Sequence, residues 1–180
     1  FGAQNLLNNL IYRSQQQTEH STEPPDESRQ PKTKNVTGFL KERLNGPMLD
    51  MLRRIGKVAD AHGFSAYVVG GFVRDLFLYR HNEDIDIVIE GNGIEFAKAF
   101  ARKEGARVNT YDKFGTAVII FADGFKIDVA SARMEYYKFP AALPTVEMSS
   151  LKLDLFRRDF TINTLCIQLN PGKFGTLIDF

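Results

Sequence analysis

The amino-acid sequence predicts an α+β domain with about five to seven strands and three or four helices. Short runs of β-forming residues alternate with turn signals along most of the chain. Two segments, 47–63 and 94–104, repeat their apolar residues at helical spacing. An Asp-Gly pair at 123–124 lies between two apolar runs, which is a strong signal for a hairpin of antiparallel strands.

The composition indicates one packed domain with an appendage. The chain has 180 residues, and its 43% hydrophobic content is enough for a packed core. A formal net charge of +1 excludes a global nucleic-acid-binding field, so any RNA contact must come from local clusters. The three histidines lack partners at metal-ligand spacing and there is one cysteine, so we expect no zinc site.

The single cysteine, Cys166, excludes an internal disulfide and fits a reducing compartment. No apolar run has the length of a membrane span, and no secretory signal is visible. We therefore expect a cytoplasmic protein without a membrane partner. The first residue is Phe1 and the last, Phe180, lies inside an apolar segment, so we expect both ends to be cut from a larger chain.

The amino-terminal region, residues 1–38, is predicted to be a flexible linker with a remnant of an upstream element at 1–12. Residues 13–38 contain three consecutive glutamines, a Pro-Pro pair and many charges, with Val36 as the only aliphatic side chain larger than alanine. Such a composition cannot bury enough surface to offset the entropy of ordering. An RNA-binding tail is the alternative, and the folded domain is expected to span residues 39–180.

The first predicted helix begins at Asn45-Gly46-Pro47, because proline suits the first helical turn, and ends near Gly63. Its buried stripe is expected to consist of Met48, Leu52, Ile55 and Ala59. A buried strand follows at 67–69.

The strand at 67–69 runs into Gly70-Gly71, and a short helix is predicted at 72–79. Glycines before a helix leave backbone N–H groups uncovered, so a phosphate can approach them closely. Arg74, in the first helical turn, adds a permanently charged forked donor. This turn is therefore a candidate phosphate-binding site.

The strand at 84–89 carries Asp84 and Asp86 on one face, while Ile85 and Ile87 point into the core. Two carboxylates this close repel each other unless a cation neutralises them. Oxygen ligands at this spacing suit Mg²⁺, which commonly takes one or two carboxylates together with substrate phosphates. The alternative is an ordinary amphipathic strand with a solvated acidic face.

A third carboxylate is predicted in the hairpin. After a helix at 94–104 and a strand at 107–111, the hairpin strands are expected at 116–121 and 125–130. Lys126 and Asp128 share one face of the second hairpin strand, which places Asp128 across the sheet from Asp84 and Asp86. The alternative is that Asp128 only pairs with Lys126 or Arg133 on a wet face.

The remainder of the chain contains a Pro-containing loop, a helix predicted at 151–159 and two short strands at 164–169 and 176–180. Arg133, Tyr136 and Tyr137 leave the hairpin and are candidate contacts for RNA, since RNA ends are held by basic and aromatic side chains. Packing of the tyrosines against the sheet is the alternative. Arg157-Arg158-Asp159 closes the predicted helix.

Three separated motifs resemble the signature of class II tRNA nucleotidyltransferases and bacterial poly(A) polymerases. They are Gly70-Gly71-Phe72-Val73-Arg74-Asp75, Asp84-Ile85-Asp86, and Arg157-Arg158-Asp159-Phe160-Thr161-Ile162-Asn163. The resemblance covers roughly residues 39–180 and implies a polymerase-β-like nucleotidyltransferase palm: a mixed, mostly antiparallel sheet with helices packed on one side. It implies transfer of AMP or CMP from ATP or CTP to the 3′ end of tRNA or another RNA.

The resemblance also implies roles for individual residues. Catalysis falls to Asp84, Asp86 and Asp128, with two Mg²⁺ ions on Asp84 and Asp86. The nucleotide is held by Gly70, Gly71, Arg74, Arg158, Asp159 and Asn163, and the RNA by Arg133 and Tyr136. The neck segment that selects ATP or CTP, and the helical body that grips tRNA, would follow residue 180.

Three other functions stay open at this point. One is a poly(A) polymerase that acts on general RNA 3′ ends, and the long amino-terminal linker favours either this or an A-adding enzyme. Another is a regulatory domain that binds nucleotide without chemistry. A third is a transferase that modifies a small molecule or a protein with a nucleotide on the same palm.

Overall fold

The computed structural model describes residues 32–132 and 165–179. These residues form eight strands, four α-helices and two short 3₁₀ helices. The strands are β1 (Lys32–Asn35), β2 (Ser65–Val69), β3 (Ile85–Glu90), β4 (Arg107–Tyr111), β5 (Thr116–Ile120), β6 (Lys126–Ala132), β7 (Leu165–Gln168) and β8 (Thr176–Asp179). The helices are α1 (Thr37–Arg43), α2 (Gly46–Ala61), α3 (Gly71–Phe77) and α4 (Gly93–Glu104).

All eight strands belong to one sheet, in the order β1-β8-β7-β2-β3-β6-β5-β4. Neighbouring strands are antiparallel except for β3 and β6, which run parallel. A parallel pair needs a crossover connection, and here α4, β4 and β5 lie between the two strands in the chain. The sheet is therefore mixed and mostly antiparallel, as the resemblance implies.

The main hydrophobic core lies between the sheet and its helices. Helices α2 and α4 contact the sheet and each other, and α3 contacts β2 and β7. From β3, the side chains of Ile85, Ile87 and Ile89 enter this core and are at most 1% exposed. The alternation predicted for this strand is confirmed.

A second, smaller cluster of buried residues involves the alternate positions of the same strands, which point away from the main core. Its members are Tyr67, Val69, Val88, Ala132, Cys166 and Ile178. Side chains of a strand leave alternately on two faces, so Asp86 and Glu90 emerge on the same face as Val88. The polar positions of β3 therefore lie opposite the main core.

Local turn and cap signals in the sequence correspond to the observed element ends. Asn45 caps α2, since its side chain accepts a hydrogen bond of 2.8 Å from the Met48 N–H. Asn92 caps α4 in the same way through the Glu95 N–H, at 3.0 Å. The Asp-Gly hairpin is confirmed by the antiparallel pairing of β5 with β6, and Asp123 accepts a hydrogen bond from the Phe125 N–H in its turn.

The predicted start of the domain at residue 39 is too late. Residues 32–35 form strand β1, which pairs with β8, and α1 begins at Thr37. All four residues of β1 are exposed, so the strand has no hydrophobic pattern by which the sequence could reveal it. Hydrogen bonds to β8 order this polar segment, and Val36, 6% exposed, anchors it in the core.

The short helix predicted at 72–79 ends earlier, at Phe77. Tyr79 adopts a left-handed conformation, with φ at 57°, and its side chain is 52% exposed. The Arg80 N–H then donates to the Asp75 carbonyl oxygen at 2.9 Å, a bond that closes the helix end. The predicted end of the helix at residue 79 is therefore two residues too late.

Three predicted features lie outside the described residues: the segment 1–31, the loop that contains Arg133 and Tyr136, and the helix at 151–159. The strands predicted at 164–169 and 176–180 are observed as β7 and β8. Among the described helices, none is long and apolar enough to cross a membrane.

Helix α2 packs directly on the backbone after β7, and this predicts a stability effect. A methyl group at Gly56 would overlap the carbonyl of Leu169. Gly56→Ala should therefore lower the free energy of unfolding by about 1–3 kcal/mol or more, because helix and strand must move apart. Urea unfolding followed by circular dichroism measures the change.

The matched control is Gly38→Ala, in α1, where an added methyl group meets no atom within 4 Å. Alanine is the better helix former, so this variant should be neutral or more stable by up to about 1 kcal/mol. Equal effects of the two substitutions would contradict the packing argument.

Candidate active site

Two predicted carboxylates are direct neighbours in the sheet. In the parallel pair of β3 and β6, Asp86 lies opposite Asp128 in the register. Neighbouring strands are about 4.8 Å apart, so the two side chains leave the same face side by side. Asp86 is half-buried and Asp128 is exposed.

Asp84 lies immediately before β3, which begins at Ile85. It is exposed, and its backbone N–H donates to the Asn82 side-chain oxygen at 2.7 Å. The bond to Asn82 holds Asp84 at the entrance of the strand, next to Ile85 and two residues from Asp86.

The carboxylate pair lines an open cleft of about 250 Å³. Two small residues, Thr116 and Ala130, also line the cleft. They belong to one row across the sheet, in which Tyr111 pairs with Thr116, Thr116 with Ala130, and Ala130 with Val88. The Tyr111 side chain is 50% exposed. The cleft therefore combines two carboxylates with an aromatic wall that sequence reasoning missed.

The first glycine of the Gly70-Gly71 turn is required by its conformation and by Asp86. Gly70 has φ at 75°, a region that side chains rarely adopt. A Cβ atom there would lie 3.2 Å from the Asp86 Oδ2 atom. The backbone of the turn thus approaches the carboxylate closely, as the pairing of β2 with β3 requires.

Arg74, predicted as a phosphate donor, is tied to its neighbour Asp75. The Arg74 Nε and Nη2 atoms donate to the two Asp75 carboxylate oxygens at 2.9 and 3.2 Å. A guanidinium has five N–H donors, so three remain for a ligand, and the side chain is 40% exposed. The hydrogen bond from Arg74 lowers the pKa of Asp75, whose side chain is 11% exposed.

Asn82 completes this cluster. Its side-chain Nδ2 donates to the Asp75 Oδ2 at 2.8 Å, while its oxygen accepts from Asp84. A Cβ atom on Gly71 would lie 3.3 Å from Arg74 Nη2 and 3.6 Å from Asn82 Nδ2. Asp75 and Asn82 are functional candidates that the sequence reasoning missed, because their link joins a helix to a loop seven residues later.

The chemistry of the carboxylate pair suits a hard divalent cation shared with a substrate. Within the described ranges, no three His, Cys, Asp or Glu side chains form a group that could enclose a metal ion by themselves. Mg²⁺ needs no such cage, since it keeps several waters and takes one or two carboxylates plus substrate phosphates. Asp86 beside Asp128, with Asp84 at the strand entrance, fits that mode of binding.

The structure thus brings together the predicted residues Gly70, Gly71, Arg74, Asp84, Asp86 and Asp128 around adjoining ends of β2, β3 and β6. The other predicted site residues, Arg133, Tyr136, Arg158, Asp159 and Asn163, lie outside the described residues.

Sequence comparison places the chain within a known family of proteins. A profile of the poly(A) polymerase head domain matches residues 66–180. The A-adding tRNA nucleotidyltransferase of Geobacter sulfurreducens is 56% identical over 147 residues, which are 82% of this chain and 17% of that protein.

The chain is also similar to solved structures of CCA-adding enzymes. A CCA-adding enzyme in complex with CTP superposes with a TM-score of 0.73 and 47% identity, over 82% of this chain and 34% of that one. The Thermotoga maritima CCA-adding enzyme complexed with tRNA superposes with a TM-score of 0.72 and 43% identity, over 84% and 33%. The chain therefore spans about a third of the solved proteins that it matches, and about a sixth of the Geobacter protein.

The Arg74–Asp75 pair predicts a pH-dependent contribution to stability. The pKa of Asp75 is lowered in the folded state, so its stabilisation is present above the unfolded pKa of about 3.9 and is lost as the pH falls through the lower folded pKa. Asp75→Asn should lower the free energy of unfolding by about 1 kcal/mol at neutral pH. The difference from the wild type should shrink below about pH 4. Urea unfolding at a series of pH values measures it.

Asp50→Asn is the control, since Asp50 is exposed and its ion pair with Arg53 spans 3.9 Å. Exposed pairs contribute little, so this variant should unfold like the wild type at every pH. An Asp75→Asn difference that grows in acid would contradict the assigned direction of the pKa shift.

Proposed function

Because the chain belongs to the poly(A) polymerase head-domain family, we propose that the protein adds nucleotides to the 3′ end of tRNA without a template. The nucleotide is AMP from ATP, with or without CMP from CTP. The observation that carries the proposal is the pairing of Asp86 with Asp128 at a cleft beside the Gly70 turn. Paired carboxylates next to an exposed glycine turn suit a metal-bound triphosphate.

The proposed reaction is nucleotidyl transfer. The RNA 3′-hydroxyl oxygen loses its proton to water and attacks the α-phosphorus of the nucleoside triphosphate, the bond from that phosphorus to the bridging β-phosphate oxygen breaks, and pyrophosphate leaves. Asp84 and Asp86 would hold two Mg²⁺ ions, with Asp128 beside them. Such ions, when bound, lower the pKa of the attacking hydroxyl and stabilise the charge of an in-line displacement. Positioning and charge supply most of the rate.

The remaining residues in the proposal hold the substrates. The triphosphate lies on the backbone of Gly70 and Gly71 and receives the free donors of Arg74, because fixed positive charge stabilises the developing anion. Arg158, Asp159 and Asn163 are proposed to complete the nucleotide site, and Arg133 and Tyr136 to contact the RNA. The Arg158 guanidinium suits the triphosphate oxygens, and the Asp159 carboxylate and the Asn163 amide suit nearby backbone or sugar groups.

A-adding activity is the preferred form of the proposal. The Geobacter relative at 56% identity carries that name. A poly(A) polymerase that acts on general RNA ends is the alternative. Location in the cytoplasm is also proposed, supported by the one cysteine, Cys166, which is free and buried.

The experiment that tests the function uses the full natural protein with Mg²⁺ and each labelled triphosphate in turn. Acceptors are tRNA that lacks CCA, tRNA that ends in CC, and an unstructured RNA. One adenylate added only to the CC-ended tRNA is the expected result. CTP incorporation would indicate a CC- or CCA-adding enzyme, and long adenylate tracts on any RNA a poly(A) polymerase. No incorporation on any acceptor would overturn the proposal and favour a regulatory or small-molecule function.

The carboxylates predict the effect of removing their charge. Asp86→Asn should reduce kcat by on the order of 10²–10³-fold or more, because electrostatic stabilisation of the transferred group is lost. Asp84→Asn should behave similarly. Single-turnover incorporation of labelled ATP measures both, while circular dichroism checks that the fold is intact.

Asp50→Asn, on the exposed face of α2, serves as the control with unchanged turnover. Wild-type rates in Asp84→Asn or Asp86→Asn would remove these residues from the chemistry.

A further inference from the structure

The loop between α3 and β3 carries a hydrogen-bonded link that joins Asp75 of α3 to the backbone of Asp84. Asp84 lies outside the regular strand, so its position depends on this loop. The Asp84 N–H donates to Asn82 at 2.7 Å. The residues on either side of Asn82, His81 and Glu83, face solvent with side chains 82% and 59% exposed.

The other end of the Asn82 side chain is anchored in the domain. Its Nδ2 atom donates to the Asp75 Oδ2 at 2.8 Å, and Asp75 is only 7% exposed. The same carboxylate is held by two hydrogen bonds from Arg74. Asp75 is therefore fixed from two sides, and through Asn82 it fixes the backbone of Asp84.

We propose that Asn82 is a positioning residue: it holds the Asp84 carboxylate where it can share a divalent cation with Asp86. This inference rests on the proposed function, since it assigns Asn82 to the same metal-dependent step. Without the link, the loop at 78–84 would be less restrained. The Asp84 carboxylate would then be out of reach of the cation for part of the time. Outer partners of metal ligands commonly change metal affinity or activity by about 10–100-fold.

The test compares two substitutions of Asn82 in the full natural protein. Asn82→Leu removes both hydrogen bonds and keeps the same number and branching of side-chain heavy atoms. Asn82→Asp keeps the acceptor for the Asp84 N–H but places a second carboxylate against Asp75. His81→Ala, in the same loop and exposed, is the matched control.

The first readout is Mn²⁺ binding in the presence of ATP, followed by electron paramagnetic resonance. Asn82→Leu should weaken Mn²⁺ affinity by about 10–100-fold, and Asn82→Asp by less, because its bond to Asp84 remains. His81→Ala should bind like the wild type. The second readout is the Mg²⁺ dependence of transfer, in which Asn82→Leu should need more Mg²⁺ for half-maximal rate and recover at high Mg²⁺. Asp84→Asn should not recover.

A merely structural role would lower the unfolding temperature without changing the Mg²⁺ dependence of the folded protein. Unchanged Mn²⁺ affinity and Mg²⁺ dependence in Asn82→Leu would overturn the inference. If the wild type binds Mn²⁺ but transfers no nucleotide to any RNA, the proposed function fails, while the Mn²⁺ affinities still decide the role of Asn82.

Discussion

The parallel pairing of β3 with β6 is the constraint on which the site depends. The register places Ile85 opposite Ile127 and Ile87 opposite Val129 on the buried face, and it therefore places Asp86 opposite Asp128 on the other face. A slip of one residue in either strand would turn its carboxylate into the core and its isoleucines out. The free energy of burying these aliphatic side chains thus fixes the distance between the two charges.

The distribution of helices decides which face of the sheet can bind a substrate. Helices α2 and α4 bury the aliphatic face of the sheet, with Phe96 and Phe100 fully enclosed. The carboxylates leave on the other face, where Tyr111 and small side chains line a cleft. Asp128 is exposed there and Asp86 is half-buried, so neither carboxylate carries the full cost of burial. The site lies where the fold can tolerate it.

Local signals in the sequence were sufficient to predict much of this arrangement. Features that depend on contacts between distant residues could not be predicted in this way. Asn45, Asn92 and the Asp-Gly turn act within a few residues, so the caps and the hairpin were predictable. Period-two spacing was enough to assign Asp86 and Asp128 to open faces. Strand β1 was missed because its four residues are polar and exposed, and only pairing with β8 defines it. The end of the short helix was misplaced because the left-handed conformation of Tyr79 is unusual for a residue other than glycine.

The structure gives a physical reason for glycine in the Gly70-Gly71 turn. Gly70 is required by its positive φ, and a Cβ atom there would also crowd the Asp86 oxygen, whereas a Cβ atom on Gly71 would press only on the flexible Arg74 side chain. The conformation of Gly70 therefore sets the path of the turn beside the Asp86 carboxylate. Asp75 follows in helix α3, where its carboxylate accepts two hydrogen bonds from Arg74. Such a turn is formed before any ligand binds, and this suits the phosphate-binding role proposed for it. Donors that are already in position stabilise a phosphoryl group without having to reorganise during the reaction.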